Sequence, residues 1–327
     1  LNLKWLKKKK PWILKYKPNK FDDFIYHNNI VNIIKNSLTN LPHMIFYGPN
    51  GVGKTCLVKI IINSIYKSHT IRRNVLQLSA GDQRGIGVVR KEIKAFAKQS
   101  VYLNKDCFKL VILDEVDSMS FEAQSALRRI METYSKTTRF CFICNSINKV
   151  SNPIVSRCVK FLFKQIPKEY IEKRLIYIAK SENLSKIKLN VISKICEISN
   201  GDLRKSINLF QMLSNSNENL DNLINDLHYL TGKIDDDLIN RLLNIIIDEN
   251  FDKISDFILD IFYQGYSPKD ILLSIFKNIL KNDQISDNDK KKIFKYLSST
   301  DKSISTGGNQ NLNILNFCYK YLDIIKK

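Results

Sequence analysis

The octapeptide Gly48-Pro-Asn-Gly-Val-Gly-Lys54-Thr55 follows directly on the apolar run His43 to Tyr47 and leads into an apolar stretch that begins near Cys56. Glycines let such a loop turn so that successive backbone N–H groups point at phosphate oxygens, and the start of the following helix adds its positive end. Lys54 supplies charge to the β- and γ-phosphates of a nucleotide, and Thr55 a hydroxyl for a magnesium ion. Strand, loop and helix in this order predict a nucleotide-binding α/β domain. The alternative, a glycine turn of no consequence, does not account for the full motif in its strand-to-helix setting.

The surrounding pattern agrees. From His43 to Phe163 short apolar runs alternate with longer amphipathic stretches, as in a parallel sheet wrapped by helices. The expected strands are His43 to Tyr47, Val75 to Ser79, Lys109 to Leu113, Phe140 to Cys144 and Val159 to Phe163. In an open parallel sheet the ligand lies beyond the carboxyl ends of the strands. Asp114 and Glu115, at the end of Leu110-Val-Ile-Leu, therefore face the same crevice. Asp114 is placed to reach the magnesium shell, and Glu115 to orient and deprotonate an attacking water. Asp117 reads as a helix-start or surface residue.

After Pro167 the strands stop. Glu169 to Lys180, Leu189 to Ser199 and Leu203 to Leu213 carry apolar residues at spacings of three and four and predict a small helical domain. The Asn- and Ser-rich stretch Ser214 to Asn219 predicts a loop. From about Asp235 further amphipathic helices follow, with Leu238, Leu242, Leu243 and Ile246 on one face. Leu127, Ile130, Met131 and Tyr134 recur at helical spacing as core. The chain thus divides into residues 1–165, a nucleotide-binding domain; 166–229, a helical lid; and 230–327, a helical terminal domain. Its 327 residues are ample for several cores.

Charge points to a partner. The 52 basic residues exceed the 32 acidic ones by 20. Such a surplus attracts a polyanion, nucleic acid first, although general over-use of lysine, asparagine and isoleucine gives the same total. No apolar run approaches the roughly 20 residues that cross a bilayer, so neither a secreted nor a membrane-bound protein is expected. Lys7 to Lys10 reads as a solvated tail or a nuclear address. Seven scattered cysteines suit free thiols in a reducing compartment. Cys141 and Cys144 have zinc-like spacing, but no second ligand pair follows, and the string around them reads as a buried strand.

Longer strings narrow the reading. Leu41-Pro42-His43, Ser118-Met119, Ala123-Gln-Ser-Ala-Leu-Arg-Arg129, Thr138-Arg-Phe-Cys141, Ser156-Arg157-Cys158 and Gly201-Asp-Leu-Arg204-Lys205 resemble the AAA+ ATPases, and among them the small subunits of replication factor C. Pro11-Trp12 and Lys15-Tyr-Lys-Pro18 resemble that family's N-terminal segment, and the numbered subunit most resembled is subunit 5. The resemblance is dense from about Pro11 to Leu213 and thinner beyond. It implies an AAA+ domain with a five-stranded parallel sheet, a sensor-2 lid and an all-helical C-terminal collar. It also implies ATP and Mg2+ as ligands, contacted by Tyr16, Gly48, Pro49, Asn50, Gly51, Val52, Gly53, Lys54, Thr55 and Cys56. Asn145 matches the sensor-1 position and Arg204 the sensor-2 position, both reading the γ-phosphate. Arg157 matches the arginine finger that acts in trans on a neighbour's ATP; an arginine there can also simply pair with an acid of its own surface. Departures from the family pattern are Asn50, Val52, Lys17, Val116, Ser146 and the string Ser79 to Arg84.

The resemblance further implies a hetero-pentamer with other replication factor C subunits, acting in the nucleus in DNA replication and repair to load a PCNA-like sliding clamp on primed double-stranded DNA. After Gly85 the stretch Val88 to Ala97 is amphipathic, and Arg90 within it and Arg84 before it are offered to a phosphate backbone. Phe96, and with it Ile93, matches the apolar patch that touches the clamp, although residues three apart are also ordinary core spacing. Two other functions fit parts of the pattern. One is a structural, nucleotide-binding loader subunit that hydrolyses little. The other is a different AAA+ DNA motor, which would be expected to end in a winged helix with a β-ribbon, whereas the terminal stretch reads as helices alone.

Overall fold

A computed structural model describes residues 10–79, 86–99, 108–184, 189–215, 232, 234, 236–248, 250–283 and 285–326, without the side chains of 68, 69, 86, 88–90, 215 and 236. The chain forms two compact units, residues 1–220 and 221–327. The charge is divided unequally between them. Up to Leu220 there are 38 basic and 16 acidic residues, a net of +22; from Asp221 there are 14 and 16, a net of −2.

Five strands build the sheet of the first unit: β1 (Met44–Tyr47), β2 (Val75–Ser79), β3 (Lys109–Asp114), β4 (Thr138–Cys144) and β5 (Val159–Leu162). All pair in parallel, in the order β2-β3-β4-β1-β5. Each expected strand is present. β4 begins earlier than expected, because Thr138 still pairs with Lys109. β3 and β4 are buried along nearly their whole length, so they read as continuous apolar runs and not as alternating ones.

The helices of this unit are α1 (Trp12–Lys15), α2 (Asn28–Asn36), α3 (Lys54–Ile65), α4 (Ser68–Asn74), α5 (Ile86–Lys98), α6 (Phe121–Tyr134), α7 (Asn152–Val155), α8 (Lys168–Ser181), α9 (Leu189–Ser199) and α10 (Leu203–Asn215). Ile93 and Ala97 of α5, Leu127, Ile130 and Met131 of α6, and Ile154 and Val155 of α7 form one buried cluster with Ile45, Val111, Leu113, Phe140, Phe142 and Cys144. Tyr134 packs on its edge. Cys144 belongs to this face. Cys141, three residues earlier, takes the opposite face by the alternation of a strand, so the two thiols do not converge on one ion.

α8, α9 and α10 pack on one another, and α1 lies on α10. Trp12 donates its backbone N–H to Gln211 Oε1 at 2.9 Å and sets its ring 5.6 Å from that of Phe210. α10 runs through Ser214 to Asn215, correcting the expected loop start; the rest of that loop lies outside the described residues.

The second unit is helical throughout its described residues: α11 (Asp236–Ile247), α12 (Phe251–Tyr263), α13 (Pro268–Lys281), α14 (Asp287–Ser305) and α15 (Gln310–Ile325). Ile239, Leu242, Leu243 and Ile246 are buried with Ile258, Ile275, Ile293 and Phe317 in a single core, and Leu238 packs against it. Asn250, Ser267, Ser286 and Asn309 each cap a helix by accepting the N–H three residues on, at 3.1 to 3.2 Å. No described helix is long and apolar enough to cross a membrane.

Candidate functional site

Strand register assembles the site. Tyr47 lies opposite Cys144, and Leu113 opposite Phe142, so Gly48, Asn145 and Asp114 emerge together at the carboxyl edge of the three central strands. β1 sits between β4 and β5, where the chain first leaves to one side and later returns on the other. That is the crevice in which open parallel sheets bind ligands.

The loop between β1 and α3 packs closely against the chain just after β5 and just before α10. Gly48 has φ +137°, and a Cβ there would lie 2.0 Å from the carbonyl oxygen of Phe163. Gly51 has φ +71°, and a Cβ there would lie 1.7 Å from a carboxylate oxygen of Asp202. A side chain at Gly48 is excluded both by dihedral angle and by backbone, and one at Gly51 is strained in its dihedral angle and would have to displace the Asp202 carboxylate. Gly53 caps α3 without a side-chain acceptor, which leaves the first N–H groups of the helix for an anion. Val52 is buried, so the departure at that position is absorbed by the core.

Lys54 is 7% exposed. Its ammonium donates to the carbonyls of Gly48 at 2.6 Å and Pro49 at 2.7 Å, and to Asn145 Oδ1 at 3.1 Å. Burial lowers its pKa, against the pull of Cys144, Asp114 and Asp117. Thr55 Oγ1 donates to Asp114 Oδ2 at 3.2 Å. Two hard oxygen donors side by side at the end of a phosphate loop are a donor set suited to Mg2+.

Glu115 is exposed and has φ +57°, an uncommon conformation for a residue with a side chain. Its N–H donates to Asp114 Oδ1 at 3.0 Å, and its carbonyl accepts from the N–H of Ser118 at 2.9 Å and from Ser118 Oγ at 2.8 Å. The backbone is therefore held in this turn from both ends, with the carboxylate left open to solvent. Val116, next in line, is fully buried, so the departure there also lies in the core.

Two positions carry more than the sequence reading gave them. Asp117 does stand in a 3₁₀ turn, Val116–Ser118, but its carboxylate also accepts the N–H of Asn145 at 3.1 Å and of Ser146 at 3.2 Å. It ties the turn after β3 to the end of β4. Gln124, 1% exposed, donates to the carbonyls of Met119 and Lys149 and accepts the N–H of Ser151 at 2.7 Å. The sequence signal for it was a glutamine on the apolar face of α6, three residues before Leu127.

Arg204 stands in the first turn of α10, where Asp202 Oδ1 accepts its N–H at 2.8 Å. Its positive charge helps to lower the pKa of Lys54 and of Lys17, in both of which burial is the larger cause. Burial raises the Cys56 thiol, against the charges of Lys17, Arg204 and Lys59. Lys17, Cys56, Lys59 and Arg204 thus share one electrostatic neighbourhood at the start of α3. Tyr16 is engaged elsewhere: its hydroxyl donates to Glu182 Oε1 at 2.6 Å, its carbonyl accepts from Arg174 at 2.7 Å, and its ring meets that of Tyr177.

Arg157 is not drawn into the P-loop. It follows α7, donating to the Pro153 carbonyl at 2.7 Å and pairing with Glu132 Oε1 at 2.6 Å. Ile93, expected at a clamp surface, is 1% exposed within the sheet-facing cluster; it is a core residue, and the ambiguity of residues three apart resolves against it. Phe96 is half-buried on the rim of the same cluster, with the ammonium of Lys109 5.2 Å from its ring centroid. Arg84 lies outside the described residues; Arg90 is on α5, but its side chain is outside the description.

The family comparisons agree with this geometry. The profile of the ATPase family associated with various cellular activities (AAA) matches residues 44–166, and that of the replication factor C C-terminal domain matches residues 234–320. Replication factor C subunit 2 of Schizosaccharomyces pombe is 36% identical over 316 residues, covering 94% of this chain and 93% of that protein. Probable replication factor C subunit 5 of Dictyostelium discoideum is 37% identical over 313 residues, covering 93% and 88%. A solved structure of the Thermotoga maritima RuvB Holliday junction branch migration motor has the same fold, with a TM-score of 0.52 at 17% identity, covering 79% of this chain and 90% of that one. The relatives' subunit numbers differ, so similarity identifies the family and not a numbered position. On that similarity and these matching domains, the chain belongs to the replication factor C small-subunit family of AAA ATPases.

Proposed function

We propose that the chain is an ATP-binding and hydrolysing subunit of a clamp loader. With other replication factor C subunits in a hetero-pentamer, it opens a PCNA-like sliding clamp on ATP binding and leaves it around primed double-stranded DNA after hydrolysis, in nuclear replication and repair. The observation that carries this reading is the convergence of Lys54, Thr55, Asp114, Glu115 and Asn145 at one sheet edge, with Lys54 bonded to Asn145 and Thr55 to Asp114.

The roles follow from position and chemistry. Backbone N–H groups from Gly48 to Thr55 and the start of α3 cradle the phosphates. Lys54 and Arg204 offset the charge that develops on the transferred phosphoryl group, and Asn145 senses that group from the end of β4. Glu115, free of side-chain partners in the hydrogen bonds described above, takes a proton from the attacking water. Thr55 and Asp114 would hold Mg2+, which when bound would supply charge neutralisation to the nucleotide's phosphates. Lys17 and Cys56 belong to the base and sugar side, and Tyr16, whose hydroxyl is held by Glu182, borders it through its neighbour Lys17. Arg157 acts on the nucleotide of the adjacent subunit. Residues 1–165, 166–229 and 230–327 are the working domains: nucleotide-binding, lid and collar. Arg84 and Arg90 contact duplex phosphates, and Phe96 the clamp.

The deciding experiment compares ATP hydrolysis by the purified subunit alone with that of the assembled loader carrying clamp and primed DNA. Low activity alone and strong stimulation in the assembly are expected. Arg157→Ala should leave ATP binding by this subunit intact while slowing hydrolysis at the adjacent site by about 10³-fold or more. Vigorous activity alone, indifferent to clamp, would replace this reading with that of an independent motor.

A further inference from the structure

Glu132 stands on the last turns of α6 and receives two arginines on the same carboxylate oxygen, Oε1. Arg128 Nε reaches it from one turn earlier at 3.0 Å, and Arg157 Nη2 reaches it from beyond α7 at 2.6 Å. Arg157 Nη1 is also held, by the carbonyl of Pro153 at 2.7 Å. A guanidinium has five N–H groups, and these two contacts engage two of them. Three remain to meet an anion. The guanidinium is therefore fixed against α6 and α7 while it keeps capacity for a second partner.

We infer that Glu132 is a positioning residue that aims Arg157 at the nucleotide of the adjacent subunit. The inference rests on the proposed trans role of Arg157 and adds what orients it. The physical case is one of scale. The side chains of Arg157 and Glu132 are 36% and 41% exposed, and an exposed ion pair is weak. Such a contact cannot withhold a guanidinium from a polyphosphate, which offers more charge and a bidentate geometry. It can narrow the rotamers of a long side chain before the phosphate arrives, which is where pre-organisation raises a rate. A lock would need a buried pair, and this one is open to water. Arg128, sharing Oε1, gives the carboxylate a second hold from within α6, and its hydrogen bond is the largest cause of the lowered Glu132 pKa.

The test is single-turnover ATP hydrolysis by the assembled loader with clamp and primed DNA, read at the site that Arg157 serves. Glu132→Ala should lower the rate there by about two- to fivefold, the scale of an exposed pair, with the nucleotide concentration for half-saturation unchanged. Glu132→Asp should recover part of the loss. The same Glu132→Ala change on an Arg157→Ala background should cost nothing further, since a positioning contact has no effect without the group it positions. Raising the salt should shrink the gap between wild type and Glu132→Ala, because screening weakens an ion pair and leaves packing alone. Glu132→Gln, which keeps the shape, guards against a folding artefact: it should also be slower. An unchanged or faster rate in Glu132→Ala and Glu132→Gln, with Arg157→Ala still severely impaired, would overturn the inference and leave the trans role standing. A further loss on the Arg157→Ala background would also overturn it. An Arg157→Ala loader of normal rate would remove both.

Discussion

Of the eight buried polar or charged residues among those described, seven lie in residues 1–220, whereas the helical unit from Asp221 holds only Thr300. The same asymmetry holds for the backbone: His27, Glu115, Asn183 and Asn200, the described residues other than glycine with positive φ, all fall in the first unit. It holds for charge as well, at +22 against −2. The first unit tolerates buried ammonium groups, strained turns and self-repulsion, each of which costs stability, and two of these, buried Lys54 and the strained turn at Glu115, stand at the sheet edge that forms the site. The second unit is built from capped helices over an aliphatic core. A chemical site demands polar groups in fixed places inside a low-dielectric setting. A packing module needs only shape and apolar area.

This contrast can be broken most decisively at Phe317, which is fully buried in the second unit. Phe317→Ala should cost about 3–5 kcal/mol and melt that unit at a lower temperature. Nucleotide binding by the first unit should persist. Calorimetry beside a nucleotide titration would show it, and loss of both together would mean that the two units fold as one.

Acid should act on the other side. Burial holds His27 and His43 neutral, lowering each pKa to about 4; the charge of Arg139 adds to the effect at His43, while at His27 a hydrogen bond with the backbone of Lys164 opposes burial and outweighs the small lowering effect of that residue's charge. His43 Nδ1 also accepts the N–H of Phe140 at 3.1 Å, which a second ring proton would oppose. The unfolded chain binds these protons from about pH 6.5, the folded one only near 4. Stability of the first unit is therefore whole above 6.5, falls as pH drops through that window and levels off below it. The loss is on the order of 2–3 kcal/mol for each ring. The second unit holds a single histidine, His228, which lies outside the described residues, so its melting should change less over the same range. Replacing both rings by asparagine should remove most of the slope; a slope that survives would assign acid sensitivity to the carboxylates.

The smallest expected effect sharpens the comparison within the first unit. Gly51→Ala should cost about 1–2 kcal/mol for its dihedral angle. It should also weaken nucleotide binding, because the new methyl group would be driven into Asp202 at the start of α10. Equal affinity in a binding titration would show that the loop and α10 move apart freely.

Much of this was legible in the sequence. Apolar runs bounded by turns marked the five strands, and a glycine loop between strand and helix marked the phosphate site, because both signals are local. What the sequence hid was long-range. Asp117 reaches the end of β4 across 28 residues, and Gln124 reaches the following loop across 25 and 27. Neither spacing follows from any helical or strand period. Ile93 was ambiguous for a different reason: three-residue spacing says that two side chains share a face without saying which face is covered. Arg157 was open between a partner on its own surface and one on a neighbour. Glu132 supplies the first, with N–H groups to spare for the second.

The ammonium of Lys54 bears on how a reaction cycle ends. Its three donors are matched by Gly48, Pro49 and Asn145, so the loop carries its own substitutes for phosphate oxygens. An arriving phosphate gains only the difference between its own hold on the ammonium and theirs. When products leave, the carbonyls stand ready to reclaim the lysine, and no buried cation is stranded in the interval. Release is thereby helped by internal competition, which keeps a tight cradle from becoming a trap.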